Sequence, residues 1–307
     1  KDNTADVIKS YIDKFAAKGY NLHYIYQENQ GQSMAINNGL KLLSGEFITW
    51  PDSDDWYKTS DAIERLVSAL TGASDKYGFV RCFYEFHSEN DTTAPYVVQY
   101  GEIKENLLED AIYAKNNFIW APGGYMVLAS CLDANIPTRS IYTSKHAGQN
   151  AQILLPILAN TKCITIPDAL YCYLIRQDSH SRGTFAGIEK EALLNKIYIK
   201  TYTHSIESIP NISNERKTQY IQSIQKRFGE EILKKVDASR NGVFIREYLD
   251  YISTLDVYIP TSLYYKSRFS RIQFTLDLYC MGLNFIRMVG SRLQQLHVKV
   301  KLLLTQQ

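Results

Sequence analysis

The stretch Ile25–Tyr57, IYQENQGQSMAINNGLKLLSGEFITWPDSDDWY, decides the fold. Ser33 to Leu43 reads as a helix set between the Gly31 break and Gly45. The apolar run Phe47 to Trp50 that follows reads as a strand, halted by Pro51 and the acidic cluster Asp52, Asp54, Asp55. Upstream, Asp2, Asn3 and Thr4 are good helix caps, and Ile8, Tyr11, Ile12 and Phe15 recur at helical spacing until Gly19. A short strand-like run, Leu22 to Gln27, comes next. Helix, strand, helix, strand in this rhythm predicts an α/β fold with a Rossmann-like, mostly parallel sheet, in which ligands sit at the carboxyl ends of strands. Asp52 to Asp55 lies at such an end.

Further along, Ala62 to Leu70 reads as a helix, Gly78 to Phe86 and Pro95 to Tyr100 as strands, and Gln149 to Leu158 as a helix. Cys163 to Ile166 and Ala169 to Ile175 read as two strands flanking Pro167. Beyond Gly187 the strand signals thin out, and Glu189 to Tyr202, Glu215 to Val236 and much of Thr261 to Leu304 carry helical periodicity. The expected division is therefore an α/β domain over 1–185 and a helical C-terminal region over 186–307.

Composition narrows the function classes. At 45% hydrophobic and 21% charged, the 307 residues form a folded protein, not a disordered or collagenous one. A net charge of +2 argues against bulk nucleic-acid binding. The five cysteines are singletons without C-x-x-C spacing, which fits a reduced, cytoplasmic setting. The polar opening KDNTADVIKS does not read as a secretory leader, and the chain lacks an uninterrupted apolar run of about 18 residues.

A D-x-D pair on a tight turn presents hard oxygen ligands to Mg²⁺ or Mn²⁺, which in turn grips a diphosphate. The spelling alone is weak, since seventeen Asp in 307 residues give about one D-x-D by chance. Its place directly after FITW strengthens the metal reading over that of a solvated turn, because three adjacent carboxylates repel unless a cation or donors compensate.

The Ile25–Tyr57 stretch resembles, without gaps, the nucleotide-sugar domain of family-2 inverting glycosyltransferases, whose pattern is roughly ENxGxSxARNxGLxxAxGEYIxFLDSDD. The resemblance continues through APGGYM (Ala121–Met126), GQNAQILLP (Gly148–Pro156) and IPDALYCYLIRQDSHSRG (Ile166–Gly183). It implies a GT-A fold, a nucleoside-diphosphate sugar donor (usually a UDP-sugar) and a divalent metal, Mn²⁺ or Mg²⁺. By position, Asp52 is implied on the ribose or sugar side of the donor, Asp54 as metal ligand, and Asp55 as support. The opening KDNTADVI resembles the residues after the family's DGS strand end. This implies that the first strands, with uracil recognition, lie upstream of Lys1.

Two departures stand out. Ile36 replaces an Arg that many members carry. The family's GED, whose Asp is the general base, stands here as Gly148, Gln149, Asn150, and neither amide accepts a proton at neutral pH. Gln149 and Asn150 are therefore candidates either for acceptor orientation or for helix capping, and His146 is a candidate base beside them. On the orienting reading, Asn150→Asp retains activity. His180 matches a loop that in many GT-A enzymes covers the diphosphate and supplies a metal ligand. Arg176 and Arg182 flank it as diphosphate contacts, and Asp178 is a further candidate base. Tyr125, Tyr171 and Tyr173 are candidates for stacking on uracil or sugar, with core packing as the alternative. Gly123 and Gly124 either leave room for a sugar or form a turn with positive φ.

The tail Thr261–Gln307 carries Lys266, Arg268, Arg271, Arg287, Arg292, Lys299 and Lys301 against Asp277, a local charge of +6. Interleaved with Phe269, Phe274, Leu278, Leu283, Phe285 and Val289, these cations read either as an interfacial helix facing anionic lipid or as a helix packed on its own domain. The combined expectation is a glycosyltransferase acting on a surface polysaccharide or lipid-linked glycan at the inner face of the membrane. The rival is a non-catalytic glycan- or partner-binding module on the same scaffold. A nucleotidyltransferase is disfavoured by the lack of a Gly-rich phosphate loop followed by a basic residue.

Overall fold

The computed structural model describes residues 2–89, 94–176, 186–270, 276–284 and 286–288. It opens with α1 (Thr4–Lys9) and α2 (Ile12–Ala16), where the sequence predicts one helix. Neither buries a residue, and Val7, Tyr11, Ile12 and Phe15 stay 36–48% exposed. Helices this short depend on packing for their persistence. The run Leu22–Gln27 is irregular and forms no ladder among the described residues, a second departure from expectation.

Then follow α3 (Gln32–Leu40), β1 (Phe47–Ile48), β2 (Trp56–Tyr57), α4 (Ala62–Thr71), β3 (Tyr77–Ser88), β4 (Tyr96–Val98) and α5 (Leu108–Tyr113). A 3₁₀ turn (Pro122–Gly124) leads into β5 (Tyr125–Leu128), α6 (Ala129–Asn135), α7 (Asn150–Asn160) and β6 (Lys162–Ile175). The rest is helical: α8 (Ile188–Glu207), α9 (Asn214–Ala238), α10 (Gly242–Ser253) and α11 (Thr261–Phe269), with residues 276–284 also helical.

The sheet runs β1-β5-β3-β6-β2, with β4 on the far half of β3's edge. The α/β class holds, but the expected parallel character does not. The β3–β6 pair is parallel, while β1–β5, β2–β6, β3–β4 and β3–β5 are antiparallel. Strand β6 reaches β3 through a long crossover that includes α7, as parallel pairing requires. The two strands expected around Pro167 are one. Register passes from Cys82↔Ile166 to Phe83↔Ala169, so Pro167 and Asp168 form a bulge inside β6, where Pro needs no ladder partner.

Burial follows the sequence pattern. In α4 the stripe Ala62, Leu66, Leu70 is buried at i, i+4, i+8. In β3 every residue from Gly78 to Tyr84 is buried, and α7 is buried from Ala151 to Leu158. One apolar core joins the sheet to Leu154, Ile157, Tyr202, Ile206, Tyr220 and Ile224. A second gathers Ile199, Ile232, Phe244, Ile252, Leu263 and Leu276. Both α8 and α9 feed both cores, and Arg227 fastens α9 to α5 by donating to the Ile112 carbonyl (2.9 Å). No helix among the described residues is long and apolar enough to cross a membrane.

The basic tail is less free than its composition suggests. Lys266 is buried and donates to the Asp237 carbonyl (2.5 Å), and Arg287 pairs with the Asp237 carboxylate (2.7 Å). Arg271, Arg292, Lys299, Lys301, Phe274, Phe285 and Val289 lie outside the described residues.

Candidate functional site

Strand β1 is held by β5 (Phe47↔Leu128), and the chain leaves it through Trp50 and Pro51 into a turn closed by the Asp55 amide on the Asp52 carbonyl (3.2 Å). Strand β2 then pairs at once with β6, so the three carboxylates sit on a short loop clamped at both ends. Asp55 is the clamped carboxylate. It accepts the Tyr171 hydroxyl on Oδ2 and the Leu174 amide on Oδ1, each at 2.9 Å. Burial pushes its carboxyl up, while these two donors pull it down. Asp52 has no such relief: burial, then the charges of Asp55 and Asp54, push it up to about 6. Asp54 faces the Arg176 guanidinium at 3.7 Å, and Arg176 also lies 3.9 Å from Glu89.

The expected glycine pair works differently from either reading of it. Neither Gly123 nor Gly124 has positive φ. A Cβ on Gly123 meets the Tyr171 ring at 2.0 Å, and one on Gly124 meets the Tyr84 ring at 2.4 Å, so two tyrosines fill the space. The Tyr84 hydroxyl donates to the Ala121 carbonyl (2.9 Å). Tyr125 and Tyr171 are wholly buried, which favours packing over ligand stacking, whereas Tyr173 is half-buried.

Gln149 occupies the N-cap position of α7 but makes no side-chain cap, and Asn150 is the first helical residue, so the capping reading fails for both. Gln149 is buried. Asn150 instead takes the Trp50 indole N–H on Oδ1 (3.1 Å) and gives Nδ2 to the Trp120 carbonyl (2.6 Å). It thereby joins the segment ahead of the acidic turn to the segment ahead of the glycine pair.

Sequence reasoning missed the support beneath this clasp. Asn37 on α3 exchanges both amide groups with the backbone of Ile141, giving Nδ2 to its carbonyl (2.9 Å) and accepting its N–H on Oδ1 (2.8 Å). Ser33, one turn earlier, donates to the Ser144 carbonyl (3.3 Å). Gly31, at φ 90°, lies so close to Lys145 that a Cβ there falls 2.5 Å from its carbonyl oxygen. The loop bearing half-buried His146 is thus bolted to α3. The usable signal is the buried polar stripe Ser33, Asn37 at i, i+4 on a helix with little apolar burial.

The structure brings Asp52, Asp54, Asp55 and Arg176 together, and ties Asn150 to them through Trp50. His180, Arg182 and Asp178 lie outside the described residues. A separate cavity of 440 Å³, lined by Lys58, Arg65, Phe83, Gln99 and Asp168 among others, includes none of the acidic turn.

Residues 1–127 match the family model described as Glycosyl transferase family 2. The chain is 27% identical over 189 residues to glycosyltransferase GlyA of Streptococcus pneumoniae, covering 59% of this chain and 26% of that protein. It is 34% identical over 89 residues to the putative glycosyltransferase EpsH of Bacillus subtilis, covering 29% and 25%. The chain therefore spans about a quarter of the length of these curated relatives. Among solved structures, S. aureus TarS 1-349 superposes with a TM-score of 0.45 at 15% identity, over 92% of this chain and 79% of that one. A mannosyltransferase from Pyrobaculum calidifontis, in complex with GDP-Man and Mn²⁺, gives 0.42 at 13% identity, over 92% and 75%. The family match covers 127 of the 307 residues, the N-terminal part of the chain.

Proposed function

We propose that the protein transfers a glycosyl group, with inversion, from a nucleoside-diphosphate sugar of the UDP class to a hydroxyl of a surface polysaccharide or lipid-linked glycan. The observation that carries this reading is the acidic turn: three carboxylates on one clamped loop, with Asp52 pushed up to about 6 by burial and its two neighbours. Such a donor set of hard oxygens fits Mn²⁺ or Mg²⁺, with Asp54 as ligand and Asp52 beside the donor's sugar. When bound, the ion supplies neutralisation of the charge that gathers on the departing diphosphate.

The chain's own residues do the rest. Tyr171 and Leu174 fix Asp55 and hence the turn. Arg176 offers positive charge beside Asp54. The Trp50–Asn150–Trp120 clasp keeps the acceptor-side segment in register with the donor turn, the kind of positioning that lowers a barrier through prepaid entropy. Asn150 cannot take the acceptor proton, so His146 stands as the nearest sequence candidate for that role.

A second reading, a non-catalytic glycan-binding module, is favoured by that same amide, whose two ends are committed to protein partners. Release of nucleoside diphosphate from a panel of UDP- and GDP-sugars by the full-length protein separates the two. Turnover lost in Asp54→Ala supports transfer, whereas sugar binding without turnover supports the module. Contact with an anionic membrane is a further part of this proposal, supported by Leu278, Met281, Ile286 and Met288, which are 44–67% exposed near Arg287. Vesicle co-sedimentation that survives deletion of 261–307 rejects it.

A further inference from the structure

A second cluster of ligating side chains lies on the β3–β6 ladder, outside the acidic turn. Glu85 and Cys172 are register partners across the parallel pair, and His87, two residues further along β3, shares Glu85's face. One carboxylate oxygen, one imidazole nitrogen and the Cys172 sulfur all lie within 4.8 Å of one another. Glu85 and His87 are partly exposed, whereas Cys172 is buried.

The two Glu85 oxygens are already divided. Oε1 lies 2.9 Å from His87 Nε2, while Oε2 pairs with the Lys58 ammonium. Trp56, the β2 register partner of Cys172, roofs the group with its ring 4.7 Å from that of His87.

We infer that Glu85, His87 and Cys172 form a binding site for Zn²⁺, with three protein ligands and a fourth position open to solvent. The donor set is the argument: thiolate, imidazole and carboxylate are the three ligand types zinc takes, and magnesium or manganese does not select sulfur. Distances agree. Zinc bonds of about 2.0–2.3 Å in a tetrahedron place ligand atoms roughly 3.3–3.7 Å apart, so the trio closes by about 1 Å or less per side chain. Glu85 keeps Lys58 on Oε2 as the outer partner that orients a ligating carboxylate.

Without metal, burial and the Glu85 charge push the Cys172 thiol up to about 11, so zinc entry releases a proton and binding strengthens with pH. The site has a mechanical consequence. Cys172 lies between Tyr171 and Leu174, the two residues that hold Asp55, so a metal pinning β6 to β3 stiffens the wall of the acidic turn. The inference does not depend on the glycosyltransferase reading.

The test uses the 307-residue chain, stripped with EDTA, in an Asp54→Ala background that removes the acidic turn as a competing site. Titration with Co²⁺ is expected to give one equivalent with a thiolate-to-cobalt charge-transfer band and the intense visible bands of tetrahedral cobalt, and Zn²⁺ is expected to displace it. Cys172→Ser should abolish the charge-transfer band, and His87→Ala should weaken binding by more than about tenfold. His87 is partly exposed, so that variant keeps the test sound if Cys172→Ser fails to fold; far-UV circular dichroism checks both. Absence of the band in the parent protein, or an unaltered band and affinity in His87→Ala, overturns the assignment.

Discussion

The Trp50 indole donates to Oδ1 of Asn150 at 3.1 Å across 100 residues of sequence, while Nδ2 of the same amide reaches the Trp120 carbonyl at 2.6 Å. The position that the resemblance assigns to a general base is thus a joint between two loops. An aspartate there keeps the acceptor for Trp50 but turns a carboxylate oxygen toward a carbonyl.

Asn150→Asp is therefore expected to destabilise the fold and not to restore a base, reversing what the family pattern alone suggests. Asn150→Ala leaves the Trp50 donor and the Trp120 acceptor unmet. Each substitution should cost about 1–3 kcal/mol in urea unfolding, and turnover should fall in both. Full stability with higher turnover in Asn150→Asp contradicts the clasp.

Gly123→Ala tests the seat beneath the acidic turn. The new methyl falls 2.0 Å from the Tyr171 ring, which must move, and Tyr171 holds Asp55. A loss of about 1–3 kcal/mol is expected, together with weaker donor binding by calorimetry. Gly39→Ala is the control: nothing lies within 4 Å of the added carbon, and a helical glycine replaced by alanine should gain about 0.5–1 kcal/mol. Equal effects at the two sites would mean that the tyrosine seat plays no part.

Local signals in the sequence told much of this and missed the rest for a physical reason. The α4 stripe and the α7 run lie in contiguous residues, and so does the arrest of β1 at Pro51 ahead of three acids. The Pro167 bulge misled because a proline that interrupts a ladder locally does not end a strand whose next residues rejoin the same partner. Leu22–Gln27 reads like a strand, yet a strand needs a neighbour to pair with, which its own letters do not supply. Asn150, Tyr171 and Asn37 act on partners 30 to 116 residues away, so their roles appear once the chain is folded.

Asn37→Ala probes the loop that carries His146. It strands the N–H and the carbonyl of buried Ile141, an expected cost of about 1–3 kcal/mol. Hydrogen exchange should accelerate at Ile141 and over the following loop residues before it does in β3. Uniform acceleration across the protein points instead to a global loss of stability.

The pH dependence of Asp52 tests the strain carried by the acidic turn. Its carboxyl stands at about 6 in the folded protein against an ordinary 3.8, raised first by burial, then by Asp55 and Asp54. An acid whose folded pKa is raised binds its proton more tightly in the native state than in the unfolded one, so stability falls as pH rises between the two values. Below 3.8 the group is neutral in both states and carries no penalty, and above about 6 the penalty is complete. Asp52→Asn keeps the shape and removes the charge, so in EDTA it should melt higher than the parent at pH 7.5, with a smaller advantage at pH 5. The same variant should lose donor binding, the usual exchange of stability for function at a strained site. Thermal melts of both proteins at the two pH values decide it: an advantage that does not grow with pH removes like-charge crowding, and with it the main support for a cation at this turn.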